Sequence, residues 1–254
     1  EVKKEDKAES KEATATINIA GDIIMHIYAI GDLHLSGEPA SKPMEVFGEH
    51  WRNHKEKIAA NWQNTVTAQD TVIVCGDISW AMTLEEAAQD LDWLAQLPGR
   101  KLLLRGNHDY WWSSLSKMQQ RYGTHFEFLQ NDCIMAEDIA VCGTRGWLLP
   151  SAESFSDADR KIYNREGIRL ELSLQQAHKM QAQQIITAFH YPPLFARTEH
   201  TCFTNLMLRY GVQHCVYGHI HGEKHIPVFE GLREGINYKL VSCDTQGFQL
   251  YKVI

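Results

Sequence analysis

Five short apolar runs punctuate the chain: "IYAI" at 27–30, "TVIVC" at 71–75, "KLLL" at 101–104, "IITAF" at 185–189 and "CVYG" at 215–218. Each is too short for a helix and too uniformly apolar for a strand with one wet face, which predicts central strands covered on both sides. Between them the apolar positions fall at helical spacing. Residues 83–99 place Thr83 and Glu86 at capping-box spacing, set Leu84, Ala87, Ala88, Leu91, Leu94 and Ala95 on one face, and stop at Pro98-Gly99. Residues 54–67, 111–122, 166–183 and 199–210 also read as helices, and the chain from His225 onward as short strands with glycine breaks. The order is βαβα with a β-rich C-terminal third, an α/β pattern. Residues 144–165 show no period and predict a long loop of the kind that often carries function.

The polar residues fall where the apolar runs stop. Asp32 and His34 follow the first run, Gly76 and Asp77 the second, Asn107 and His108 the third, His190 the fourth, and "GHIH", with His219 and His221, the fifth. C-terminal strand ends are where open α/β sheets bind ligands. Four of those histidines, with two aspartates and an asparagine, gathered at one sheet edge without a shared partner would be costly to bury. Metal ions supply that partner: oxygen and imidazole donors without cysteine suit borderline divalent ions such as Mn, Fe, Zn or Co, and there are too many donors for one ion. Two ions ~3.5–4 Å apart clamp an in-line phosphoryl displacement, and a carboxylate is the natural bridge.

Composition narrows the setting. With 254 residues, 44% of them hydrophobic, and no repeat or linker, the chain reads as one domain with its own core. A formal net charge of −7 gives no general attraction to nucleic acid, which stays possible only through a local basic patch. Six cysteines without CxxC spacing predict buried, reduced thiols and a cytoplasmic location. No stretch approaches the ~18 consecutive apolar residues of a membrane helix, and no signal-peptide core stands at the N-terminus. Residues Glu1 to Glu12 carry nine charges and predict a disordered tail. Residues 1–24 read as a non-core extension ahead of Met25, with "INIA" as a short strand the alternative; 25–254 form the domain.

In this order, "GDLH", "GD", "GNHD", a strand-end histidine and "GHIH" resemble the calcineurin-like metallophosphoesterase superfamily over residues 25 to about 221. The resemblance implies a four-layer α/β/β/α sandwich of mixed sheets with a dinuclear metal site at its rim. It implies Asp32, His34 and His221 on the first metal, Asn107, His190 and His219 on the second, and Asp77 bridging both. His108 is then catalytic without ligating metal, protonating the leaving alkoxide or stabilising transition-state charge. Arg105 and Asp109 orient the loop or pair at the surface. With two divalent ions, two aspartates and a bridging hydroxide the site keeps net positive charge, which favours a phosphate ester.

The expected activity is metal-dependent hydrolysis of phosphate esters, with a phosphorylated small molecule or nucleotide as substrate. Trp80 stands where Ser/Thr protein phosphatases of the superfamily carry an aspartate, and His108 where lipid A pathway pyrophosphohydrolases typically carry arginine, which disfavours both. A nuclease or cyclic-nucleotide phosphodiesterase would use the same chemistry, with Tyr110, Trp111, Trp112 and Trp147 available to stack on a base or else to pack the core. A non-catalytic binding scaffold is the reading from a different class; loss of His108 or of a ligand would mark it, and none is lost.

Overall fold

The computed structural model describes residues 13–17, 23–222 and 227–254. A two-residue hairpin, β1 (Thr16–Ile17) and β2 (Ile23–Ile24), precedes β3 (Ile27–Ile30). Helix α1 (His54–Thr65), β4 (Thr71–Cys75), α2 (Ala88–Gln96), β5 (Arg100–Leu104), α3 (Leu115–Tyr122) and β6 (Phe126–Leu129) complete the first half. The second half runs β7 (Cys133–Ala136), β8 (Ile139–Thr144), α4 (Asp157–Lys179), β9 (Gln184–Phe189), α5 (Cys202–Arg209), β10 (His214–Tyr217), β11 (Gly231–Arg233), β12 (Ile236–Leu240) and β13 (Tyr251–Lys252).

Two mixed sheets result, ordered β13-β3-β4-β5-β6 and β11-β12-β10-β9-β8-β7. The central strands are parallel, and antiparallel partners close the edges at β13, β7 and β11. The uniform apolar character of the runs follows from this architecture. Ile27, Ala29, Ile73, Cys75, Leu102 and Leu104 point into a core between the sheets, where Val141, Ile186, Ala188 and Val216 meet them. The alternate residues Tyr28, Ile30, Val72, Val74 and Leu103 pack outward with Ile58, Trp62, Leu91 and Met118 of α1 to α3. The second sheet packs outward against Leu170 and Leu174 of α4 and Phe203 and Met207 of α5. The layers are helix, sheet, sheet and helix, as expected.

The differences have local causes. Thr83 does accept a hydrogen bond from the Glu86 N–H at 3.2 Å, but residues 84–87 form turns and the helix proper starts at Ala88. Helix α4 begins at Asp157, nine residues before the expected 166, behind a capping box of Ser156 and Asp159. Its first turns, 157–165, look like a loop in the sequence because they are mostly charged or polar. A Cβ at Gly167 would come within 3.2 Å of Cys202 Sγ, so glycine permits the close contact of α4 with α5. Strands β6, β7 and β8 were not expected; Glu127, Asp132, Glu137 and Asp138 interrupt their apolar pattern. All six cysteines are free thiols and five are buried. The Ala13 N–H reaches the Gln63 carbonyl of α1 at 3.2 Å, ahead of the hairpin. The tail expected at 1–12, most of "INIA" and His225 lie outside the described residues.

Candidate metal centre

Every donor-bearing loop leaves the C-terminal end of a central strand and bends at once. Asp32, His34, Asp77 and His219 all adopt φ between 46° and 74°, the left-handed region that non-glycine residues avoid at a cost of ~1–3 kcal/mol each. The loops brace each other through backbone bonds from the Asp32 N–H to the Gly76 carbonyl (2.9 Å) and from the His34 N–H to the Asp77 carbonyl (3.0 Å). Gly106 has no alternative: a Cβ there would lie 2.2 Å from the Asp77 nitrogen. Asp109, fully buried, knots the same loops together. Its Oδ2 accepts from the Gly106 N–H (2.7 Å), and its Oδ1 from Ile78 (2.8 Å), Ser79 (3.2 Å) and the Trp111 indole (2.8 Å). Arg105 makes no ion pair with it among the described residues.

The side chains then converge. Asp32, His34 and His221 bring one donor atom each within 4.8 Å of one another, and so do Asp32, Asp77 and His190. His221 Nδ1 donates to the Asp244 carboxylate at 3.0 Å, so in the neutral ring its Nε2 lone pair faces His34 Nε2 at 3.1 Å and Asp32 Oδ1 at 3.3 Å. His190 Nδ1 donates to the Cys75 carbonyl at 3.0 Å, which turns its Nε2 lone pair toward Asn107 Oδ1 at 2.6 Å and Asp77 Oδ1 at 3.6 Å. His219 Nδ1 lies 2.9 Å from the same Asn107 oxygen and 3.2 Å from His190 Nε2. Once deprotonated, the His190 and His221 rings would turn Nε2 lone pairs to where Asp32, Asp77 and Asn107 present oxygens, a donor set that fits divalent metal ions.

The proton affinities record the crowding. Burial alone would raise Asp32, but His221, His190 and His34 around it hold its carboxyl well below the usual range. Asp77 is pushed up to about 7 by burial, with Asp32 and Asp109 adding to the effect against His190. Burial drives His34 well below its ordinary value and, with His190, takes His219 down to about 3. Burial opposes the charged form of His221 too, yet Asp32 and Asp244 raise it to about 10. His108 is lowered by burial, His190 and Lys42.

A cavity of about 540 Å³ opens over these atoms, lined by His34, Asp77, His108, His219, His221 and Asp244 together with the apolar Met44, Phe47, Trp51 and Trp80. The Trp80 ring stacks on His34 at 4.7 Å and lies 4.5 Å from His108, and the His108 N–H is fixed on Asp77 Oδ1 at 2.8 Å. All seven expected ligand residues and His108 are thus brought to one rim. The aromatic candidates divide differently: Trp111 and Trp112 are core residues, Tyr110 is exposed, and Trp147 packs on Tyr191 at 5.2 Å. Asp244, Trp51 and Phe47 were missed. Asp244 carried the same signal as the others, an acidic residue directly after the apolar run "KLVSC" that contains the end of β12.

Residues 25–223 match the family model for calcineurin-like phosphoesterases. The chain belongs to that family. Gene 66 protein of Mycobacterium phage L5 is 35% identical over 78 residues, which cover 31% of this chain and 37% of that protein. Its counterpart in phage D29 is 32% identical over 84 residues, 33% of this chain and 40% of the relative. The chain therefore matches about two fifths of the length of these curated relatives. Among solved structures, phosphopantetheinyl hydrolase from Mycobacterium tuberculosis superposes with TM-score 0.57 at 15% identity, covering 91% of this chain and 96% of that one. A protein of unknown function from Aquifex aeolicus gives TM-score 0.51 at 15% identity, covering 90% and 96%. At these identities the likeness shows the phosphoesterase fold alone. Among the described residues no helix is long and apolar enough to cross a membrane.

Proposed function

We propose that this member of the calcineurin-like phosphoesterase family hydrolyses phosphate esters with two divalent metal ions. Asp32, His34 and His221 would hold one, Asn107, His190 and His219 the other, and Asp77 would be shared. The observation that carries the reading is the crowding of imidazole and oxygen donors, His221 Nε2 3.1 Å from His34 Nε2 and His190 Nε2 2.6 Å from Asn107 Oδ1, in a chain of this family. The donor set suits Mn, Fe, Zn or Co. Such ions neutralise phosphate charge and make water a nucleophile near neutral pH.

The chain's own residues do the rest. His108 stands in the cavity wall and delivers a proton to the oxygen of the leaving alcohol. Asp244 and the Cys75 carbonyl fix the tautomers of His221 and His190, so that both present Nε2 inward. Asp109 keeps Asn107 and His108 in register with Asp77 through its four accepted bonds. Met44, Phe47 and Trp51 give the cavity an apolar wall that suits an ester whose alcohol is planar or apolar. That wall is also the reason to keep a second reading, a nucleotide phosphodiesterase or nuclease whose base lies against Trp51 rather than Trp111. The free thiols fit a reducing compartment, and we place the protein in the cytoplasm.

The test is a panel of p-nitrophenyl phosphate, bis(p-nitrophenyl) phosphate, cyclic nucleotides and single-stranded DNA, assayed with added Mn, Zn or Fe. Metal-stimulated turnover of at least one ester, abolished by Asp77→Asn, is expected. A folded chain inactive on every ester with every metal would remove the proposal.

A further inference from the structure

A second concavity lies at the same rim of the sandwich, one strand further along. The metal-centre loops follow β3, β4, β5, β9 and β10; this pocket sits at the ends of β5, β6 and β8, where the chain leaves through Arg105, Gln130 and Arg145. Arg165, Glu166 and Arg169 of α4 close it around about 200 Å³.

Four guanidinium groups share one carboxylate there. Glu166 is fully buried and already engaged: it accepts from the Thr144 hydroxyl, from Arg169 at 2.9 Å and from Arg165 at 3.3 Å. The Arg105 and Arg145 guanidinium groups have no hydrogen-bond or ion-pair partner among the described residues. Arg105 Nε is shut away from solvent without an acceptor. The Arg145 guanidinium lies 4.7 Å from the centre of the Trp147 ring. Burial lowers the proton affinity of Arg145; Glu166 works against that, and Arg105 and Arg165 add to it. Three positive charges are left uncompensated, with planar donor forks that match a tetrahedral oxyanion. A buried guanidinium N–H without an acceptor is costly, and among the described residues Arg105 Nε is one of few buried side-chain polar atoms left without a partner.

We propose that this pocket is an anion subsite that binds a phosphoryl group through Arg105, Arg145, Arg165 and Arg169. The group has two sources: a second phosphate on the substrate held at the neighbouring centre, or free phosphate. The subsite stands on the arginines alone and does not rest on the metal reading.

The experiment is calorimetric titration of the full, metal-loaded chain with inorganic phosphate. Beside any equivalent at the metal centre, which Asp77→Asn removes, the wild type is expected to bind one equivalent that Asp77→Asn spares and Arg145→Gln weakens at least tenfold. Arg165→Gln, which spares the Arg169–Glu166 pair, should weaken the same equivalent, with melting temperature and metal content as controls for folding. If Arg145→Gln raises KM for ADP more than for p-nitrophenyl phosphate, the anion is part of the substrate. Equal KM effects together with the lost equivalent identify a free anion. A wild type that binds no equivalent spared by Asp77→Asn overturns the proposal, as do arginine variants that bind that equivalent as tightly as the wild type.

Discussion

Replacing Asp109 by alanine tests how the fold holds its site. The carboxylate is fully buried and accepts four hydrogen bonds, from the backbone of Gly106, Ile78 and Ser79 and from the Trp111 indole. Alanine leaves those four donors in a dry place, each costing ~1–3 kcal/mol. Part of that is offset by no longer burying a carboxylate, the burden that raises the Asp109 pKa, so the low end of the range applies and the loss is about 4 kcal/mol. For a chain of this size that corresponds to a fall in Tm of about 8–16 °C. The loops carrying Asp77 and Asn107–His108 lose their common anchor, so kcat should fall with bound metal. Asp109→Asn keeps an oxygen for the three donors on Oδ1 but turns an amide N–H₂ toward the Gly106 N–H, and should lose about half as much. The assay is thermal denaturation followed by circular dichroism, with metal content measured on the same samples. An alanine variant within about 3 °C of wild type and fully active would refute the anchoring role.

His108→Ala should retain its metal and lower kcat by ~10²–10⁴ on an alkyl phosphate but far less on p-nitrophenyl phosphate, whose leaving group needs no proton. Because burial, His190 and Lys42 lower the His108 pKa, wild-type turnover of the alkyl ester should fall as pH rises through a value below the ordinary ~6.5, a limb absent from the variant. Metal binding should release protons, since Asp77 (about 7) and His221 (about 10) bind ions only when deprotonated. About one proton should appear at pH 8, from His221, and about two at pH 6, where Asp77 is protonated as well; calorimetry in buffers of different ionisation enthalpy reads the number, and none at pH 8 would contradict it. Asp244→Asn should cost ~10–100-fold in affinity for the ion on the His221 side while sparing the other, as two-step metal titration would reveal.

What was readable in the sequence follows from where each residue sits. The runs in β3, β4, β5, β9 and β10 are buried on both faces, so they are uniformly apolar, and their abrupt polar ends are the donor loops. Strand β6 hid its pattern because Glu127 leaves the apolar alternation to pair with Arg100. Helix α4 hid its start because residues 157–165 are mostly charged or polar and only Tyr163 among them is buried, which leaves no apolar period to read. Met44, Phe47 and Trp51 reach the cavity from short 3-10 turns at 44–51, which carry neither helical nor strand periodicity. Periodicity exposes residues that serve the core; a wall built from turns has no period to expose.

The central claim is that the converging imidazole and oxygen donors are places for two cations. An anomalous difference map from crystals grown with Mn tests it directly. The account predicts two peaks per chain, one among Asp32, His34 and His221 and one among Asn107, His190 and His219, with Asp77 contacting both. One peak or none at this rim, from protein active on a phosphate ester, would contradict it.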